Sequence, residues 1–409
     1  MRLSLGEARA RALDANPELV AARLDTAIAR GVLRQAGILR FNPTADVLGA
    51  TSGSGVETGI SQELEVLGQR GARLTVGRAG VEGATAGVAN TTRLTIGTLD
   101  RTFYRLVSAS QRTDLARDVL ALNERLADVA QRQLAEGEIS RLDYNLAIVE
   151  LGRARARALA TRRAREQATI ELGRLIGATR GTSILAVLDS TELRTGRDSA
   201  HAMLWSLGTP EDSLPSLEAE RLTALALVRR PDLAERAAAI RRAHAERDLA
   251  RREALPNPIV RGVFERPTDG GSTTFRPGVG VSLPFLNRRQ GERQALRAAA
   301  RQAELQHASV ASLVRAEVDA AVTTYHSAAS EVEILATTVL APARQNRQLA
   351  EIAYREGKIG LPVLLLVQNQ AIDAELDYWQ TWLAAREALA ALAEATAENT
   401  QGTRAIRPR

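Results

Sequence analysis

The sequence predicts a mainly α-helical protein with a small β part, built as two matched halves. Three observations carry that expectation. Apolar residues recur at helical spacing over stretches much longer than an ordinary globular helix. Short segments of alternating polarity interrupt the helices in pairs, as hairpins do. The order of helix, hairpin and broken long helix occurs twice, about 220 residues apart. Asn16-Pro17-Glu18-Leu19 returns as Arg230-Pro231-Asp232-Leu233, and Asn42-Pro43 as Asn257-Pro258. Glu136-Gly137-Glu138-Ile139-Ser140 returns as Glu356-Gly357-Lys358-Ile359-Gly360. An ordered duplication constrains architecture more than any local motif.

In the first half, Leu5 to Ala15 reads as a short helix stopped at Asn16-Pro17, because proline pushes its neighbour out of the helical region. A second helix is expected from about Glu18 to Arg40. Polarity alternates over 44–50 and 59–66, with Thr51-Ser52-Gly53-Ser54-Gly55 as the turn between. No proline occurs from Gln69 to Glu136, where Leu115, Val119, Leu122, Leu126 and Val129 mark one apolar face. Six glycines crowd the first part of that stretch, each costing about 1 kcal/mol in a helix interior. Either backbones approach closely there or the helix is interrupted. A second long helix is expected from Ser140 to about Ile176.

In the second half, helices are expected from Leu222 to Arg229 and on to Leu255. Strands are expected at Ile259 to Arg266 and Phe275 to Phe285, flanking a turn at Thr268 to Thr273, and then long helices from Arg289 to Glu356 and Leu361 to Ala397. The expected domains are a first repeat at 1–176, with its hairpin at about 43–66, and a linker at 177–220. A second repeat at 221–397, with its hairpin at about 258–285, and a flexible tail at 398–409 complete them.

Composition sets limits. Aromatic residues are only 3% of a chain whose hydrophobic share is 45%, much of it Ala, so thin helix–helix interfaces are expected rather than a thick aromatic core. Cysteine is absent, which excludes disulfides, thiolate metal sites and cysteine lipid anchors. The net charge is +6, and Lys358 is the one lysine. Arginine is interleaved with Glu and Asp along helices, the pattern of a solvated face with i,i+4 pairs rather than of a nucleic-acid rod. No apolar run is long enough for a transmembrane helix. Met1-Arg2-Leu3-Ser4-Leu5 leads straight into a helix without the pattern of a signal peptide, so the expectation is a cytosolic protein or a mature exported form.

The second hairpin separates its faces. Val260, Gly262 and Phe264 oppose Arg261 and Glu265; Pro277, Val279, Val281, Leu283 and Phe285 oppose Arg276, Gly278, Gly280 and Ser282. Apolar-out and polar-in over about ten residues is how a transmembrane β-barrel strand reads; a surface hairpin packed on helices is the other reading. If the hairpins meet lipid, Val260, Phe264, Val279, Val281 and Leu283 form the lipid face. Four strands cannot close a barrel, and open edges in lipid leave backbone groups unsatisfied at several kcal/mol each. Several protomers would then have to share one barrel, three of them giving twelve strands, and their long helices would close a common tube.

The chain resembles the TolC-like outer membrane efflux proteins, most of all the heavy-metal branch with its cobalt-zinc-cadmium and nickel efflux channels. Leu3-Ser4-Leu5-Gly6-Glu7-Ala8 with Asn16-Pro17-Glu18-Leu19 carries the resemblance, as do Gln62 to Arg70, the Glu-Gly-x-Ile element of both halves and Ser282-Leu283-Pro284-Phe285. It implies a homotrimer with a twelve-stranded barrel in the outer membrane and an α-helical tunnel in the periplasm. Such a channel has no cofactor and is no enzyme, and takes its substrate from an inner-membrane RND-type pump through a periplasmic adaptor. The resemblance places the aperture and the adaptor contacts at the helix breaks: Glu136, Gly137, Glu138, Ser140 and Asp143 in one half, and Glu356, Gly357, Lys358, Gly360, Pro362 and Val363 in the other. The family's acidic ring in the second half has no counterpart, since Val363 and Leu366 stand there. Glu136, Glu138, Asp143 and Glu356 either set a cation-attracting charge at the entrance or serve as capping and solvated residues.

No catalytic or metal-binding constellation is legible. His201, His244, His307 and His326 are scattered, with Asp198, Asp248 and Glu304 the only carboxylates three or four positions from any of them. The rival to a channel is a soluble extended helical scaffold or coiled-coil protein.

Overall fold

The computed structural model describes residues 2–49, 56–178, 184–186, 215–267, 270–282 and 288–398. Most of the expected linker and tail, both hairpin turn centres, His201, Leu283 and Phe285 lie outside the described residues. The described chain is mainly helical with a small antiparallel sheet. It divides into two compact units, one of Met1–Val20, Thr91–Arg230 and Val314–Arg409, the other of Ala21–Asn90 and Pro231–Leu313.

In chain order the first half runs β1 (Arg2–Leu3), α1 (Leu5–Ala15), α2 (Pro17–Ala36), β2 (Thr44–Gly49), β3 (Val56–Glu63), α3 (Gln69–Ala135) and α4 (Arg141–Leu175). After β4 (Leu185–Ala186) come α5 (Pro215–Arg229), α6 (Pro231–Glu253), β5 (Pro258–Arg266) and β6 (Thr274–Val281). The chain ends in α7 (Gln290–Ile334), a π-helical turn (Leu335–Leu340), α8 (Ala341–Arg355) and α9 (Leu361–Ala395).

Helix α3 runs unbroken for 67 residues, about 100 Å at 1.5 Å per residue. Its glycines do not interrupt it. At Gly77 a Cβ would lie 3.0 Å or less from the Leu33 backbone and side chain, so close packing on α2 offsets the cost in propensity there. Strand β3 begins at Val56, three residues before the alternation suggests, because Val56 to Thr58 pair with Gly49 to Val47 in unbroken register. The expected continuous helix from Arg289 to Glu356 contains the π turn just before Pro342, which stands near the start of α8. Proline lacks an N–H and its ring crowds the carbonyl four residues back; a widened turn relieves both.

The first unit's core joins Leu3, Leu5, Ala8 and Ala12 to Leu99, Phe103, Leu106, Leu172, Leu175 and Trp382. Here the few aromatic residues are concentrated: Phe103, Tyr104, Trp382, Trp379 and Tyr378 adjoin one another edge to face, with ring centroids 5.5–6.0 Å apart. The Arg386 guanidinium lies 5.4 Å from the Trp382 ring centroid. Five of the thirteen aromatic residues thus gather in this one cluster, while alanine supplies much of the buried helix surface elsewhere.

The duplicated break residues have duplicated jobs. Buried Asn16 caps α2, its Oδ1 accepting from Glu18 N at 3.0 Å and Leu19 N at 3.1 Å. Its Nδ2 donates to the carbonyl of Leu175, the last residue of α4, at 3.1 Å. In the second half buried Arg230 donates to the carbonyl of Ala395, the last residue of α9, at 3.4 Å, and pairs with Glu317. In each half the residue before the proline therefore ties down the C-terminus of its own long helix, satisfying carbonyls the helix leaves orphaned.

Candidate functional site: the open sheet and the helix tips

In the second unit the strands form one antiparallel sheet of order β2-β3-β5-β6. Register places Val260 opposite Val279 and Gln62, and Phe264 opposite Phe275 and Thr58. Directly opposed residues share a face, so one face carries Val47, Val56, Ile60, Val260, Phe264, Phe275, Val279 and Val281. Every one of these is exposed, Val279 to 75%. Phe264 and Phe275 stack at 4.8 Å. An apolar face of this extent, open to solvent, is abnormal for a soluble monomer.

The other face carries Asp46, Glu57, Arg261, Glu265 and Arg276. Glu57 and Glu265 stand directly opposite each other, an unfavourable arrangement for like charges. Arg276 resolves it, its Nη2 lying 2.6 Å from Glu57 Oε1 and 2.9 Å from Glu265 Oε2. Alternation therefore gives the sheet one mainly apolar face, with Thr58, Gln62 and Arg266 its polar members, and one mainly charged face, on which Leu48 is also exposed. Among the described residues the outer edges of β2 and β6 have no strand partner. Of the expected lipid-facing residues, Val260, Phe264, Val279 and Val281 lie on the apolar face. Val47, Val56 and Ile60 join them from the first hairpin, where period-two polarity is the available signal.

The helix breaks lie in the first unit, and their surroundings come together. Ile139 and Ile359 both pack against one cluster built on Ala130, Ala147, Ala350, Leu361, Leu364 and Leu365, along with Tyr144 and Tyr354. The two turns have the same geometry. Gly137 and Gly357 take left-handed φ of 76° and 71°. Glu138 N donates to the Gln133 carbonyl and Lys358 N to the Ala353 carbonyl, both at 2.8 Å, the 6→1 bond of a Schellman cap.

Beyond the turns, α4 and α9 start differently. Ser140 caps α4 in a reciprocal box: Asp143 N donates to Ser140 Oγ at 3.2 Å, and Ser140 N and Oγ donate to Asp143 Oδ2 at 3.2 and 2.7 Å. Gly360 offers no side-chain cap, and Pro362 stands in the first turn of α9. Asp143 is thus held by the cap, whereas Glu136, Glu138 and Glu356 are exposed, Glu356 pairing with Lys358 at 2.6 Å. Val363 and Leu366 are 47% and 58% exposed on α9, opposite its buried Leu361, Leu364 and Leu365.

Elsewhere charge serves structure. Buried Asp100 accepts from Arg9 Nε at 2.8 Å and Nη2 at 2.6 Å. Burial pushes its carboxyl above the ordinary value despite that pairing. His244 Nε2 lies 3.4 Å from Glu304 Oε1, a partner on another helix rather than its sequence neighbour Asp248. The hydrogen bond from Arg301, with smaller help from His244, holds Glu304 below the usual carboxylate range. Arg242 and Glu246 form the expected i,i+4 pair at 2.8 Å. Among the described residues no three metal-ligating side chains converge, and no helix is long and apolar enough to cross a membrane.

No protein-family model matches the chain. Over 388 residues it is 27% identical to the cobalt-zinc-cadmium resistance protein CzcC of Cupriavidus metallidurans, covering 92% of this chain and 85% of that protein. Among solved structures, the outer-membrane channel OprN matches with a TM-score of 0.75 at 19% identity, over 96% of this chain and 89% of its own. The CmeC outer membrane channel of Campylobacter jejuni matches with a TM-score of 0.76 at 14% identity, over 96% and 85%. CusC, whose structures concern folding and transmembrane channel formation, matches with 0.75 at 16%, over 96% and 91%. At such identities the likeness establishes a shared fold.

Proposed function

We propose that this chain, which has the fold of the TolC-like outer membrane efflux channels and a sequence similar to CzcC, is one protomer of a passive exit duct in the Gram-negative outer membrane. It is a component of a tripartite efflux system and catalyses no reaction. The observation that carries this reading is the four-stranded sheet with an exposed apolar face, a charged opposite face and two open edges. In lipid the apolar face is matched, but the edges are not. Three copies joined β6 to β2 give twelve strands and leave no edge, with Asp46, Glu57, Arg261, Glu265 and Arg276 lining a wet interior. The scaffold alternative leaves the apolar face unexplained.

The paired tips are the periplasmic end of the duct and the contact for the adaptor that delivers substrate from the inner-membrane pump. Glu136, Gly137, Glu138, Ser140, Glu356, Gly357, Lys358, Gly360, Pro362 and Val363 form that end, Asp143 shaping it through its cap. The substrates are heavy-metal cations, a class suggested by the resistance for which CzcC is named. A wide aqueous duct passes such ions without binding them.

Extraction tests the reading. The full chain, expressed with an export signal, should enter the outer-membrane fraction and be released only by detergent, running as a trimer until heated. A monomer soluble without detergent sinks it.

A further inference from the structure

Where the sheet meets its helices, the second unit gathers arginine. Some of that charge is matched within the chain. Arg40 and Arg289 share Glu253, each at 2.5 Å, and Arg73 holds Glu65. Four others have no carboxylate partner among the described residues: Arg70 and Arg252, at the start of α3 and end of α6, and Arg288 and Arg293, at the start of α7. Arg70 donates to the Gly37 carbonyl at 2.8 Å and Arg252 to the Leu67 carbonyl at 3.2 Å, which orients the guanidinium groups without neutralising them. Arg70, Arg252 and Arg288 are exposed and Arg293 half-buried.

The same rim exposes apolar side chains, Ile38, Leu39, Leu64, Val66, Leu67 and Leu255. Among the described residues it has one aromatic side chain, Phe41, with the Arg40 guanidinium 5.7 Å from its ring centroid. Barrel proteins ordinarily anchor at this level with Trp and Tyr, whose polar tips reach headgroups. Phenylalanine has no such tip. Arginine can serve instead: its stem lies along apolar surface while its planar fork grips phosphate oxygens in pairs.

We propose that Arg70, Arg252, Arg288 and Arg293 form a belt that binds the phosphates of anionic phospholipids in the leaflet on the helix side of the membrane. The belt rests on the reading that the sheet spans a bilayer. Charge complementarity and direct continuity with the apolar face choose lipid as the occupant. Each unpaired guanidinium faces a negative surface at the depth where hydrocarbon ends.

The test refolds the full chain into vesicles of phosphatidylcholine alone, or of phosphatidylcholine mixed with phosphatidylglycerol, and reads the inserted fraction by flotation. Wild type should favour the anionic vesicles at least tenfold, less so as salt rises. The variant carrying Arg70→Gln, Arg252→Gln, Arg288→Gln and Arg293→Gln should still insert into neutral vesicles and lose the preference. Equal insertion of wild type into both vesicles overturns the belt while leaving the membrane reading intact. Insertion into neither overturns both. Should the variant fail to fold, wild type decides alone, in phosphate against chloride at matched ionic strength. A preference that survives phosphate supports lipid, and one that free phosphate abolishes overturns lipid as the occupant.

Discussion

Gly137 and Gly357 end α3 and α8 with the same left-handed turn, a conformation that costs an L-residue about 1–2 kcal/mol. Gly137→Ala should therefore lower stability by roughly 1 kcal/mol, read from thermal unfolding in detergent. Gly31→Ala, in a helix with nothing near its added Cβ, should not lower it. Asp100 gives a prediction with a pH sign. Its raised pKa means that the native state holds the proton more tightly than the unfolded chain, so its contribution is greatest at low pH and is lost as pH rises through the raised value. Comparing wild type with Asp100→Asn from about pH 3.5 to 7, the difference in melting temperature should move steadily in the variant's favour. A difference independent of pH would show that Arg9 fully offsets the burial. The glycine turns are legible in the sequence because Glu-Gly-x-Ile breaks two otherwise unbroken helical patterns. The work of Asn16 and Arg230 is half legible: an Asn before Pro announces a cap, but no local pattern announces the distant carbonyls of Leu175 and Ala395.

At the scale of elements, periodicity locates nearly every helix and both hairpins, since burial selects period 3.6 or 2 along the chain. It fails where packing overrides propensity. The glycines of α3 argue against a helix one at a time. Leu33 lying close over Gly77 and the Glu394 side chain over Gly97 show what two of them are for, while Gly71 and Gly80 have nothing within 4 Å of an added Cβ. Pro342 is the one local sign of the π turn, but it stands inside a strongly periodic stretch that masks it. A π turn accommodates one residue more than an α turn, so deleting Thr338 together with Pro342→Ala should restore an ordinary helix and preserve the proposed trimer on gels. Deleting Leu122 from α3 should abolish it, because every later side chain turns by about 100°. Which faces meet is not legible at all: nothing local says that Leu361 and Leu364 find Ala130 and Ala147.

For the whole molecule, the duplication says most about architecture, and the four strands of the described sheet say most about the proposed assembly, because one copy placed in lipid would leave its sheet edges unsatisfied. The proposed entrance depends on charge that is not already engaged. Asp143 is committed to Ser140, so Glu138, exposed and without a cap to serve, should influence permeation more. In planar bilayers Glu138→Ala should shift the reversal potential toward weaker cation selectivity; an unchanged potential removes the tip carboxylates from the mechanism.

The two kinds of tip set a stoichiometry. In a threefold assembly, six of them would alternate around a circle, three clasped by serine and aspartate and three begun by glycine and proline. A visitor able to tell the two apart would dock three times, and an indifferent one six.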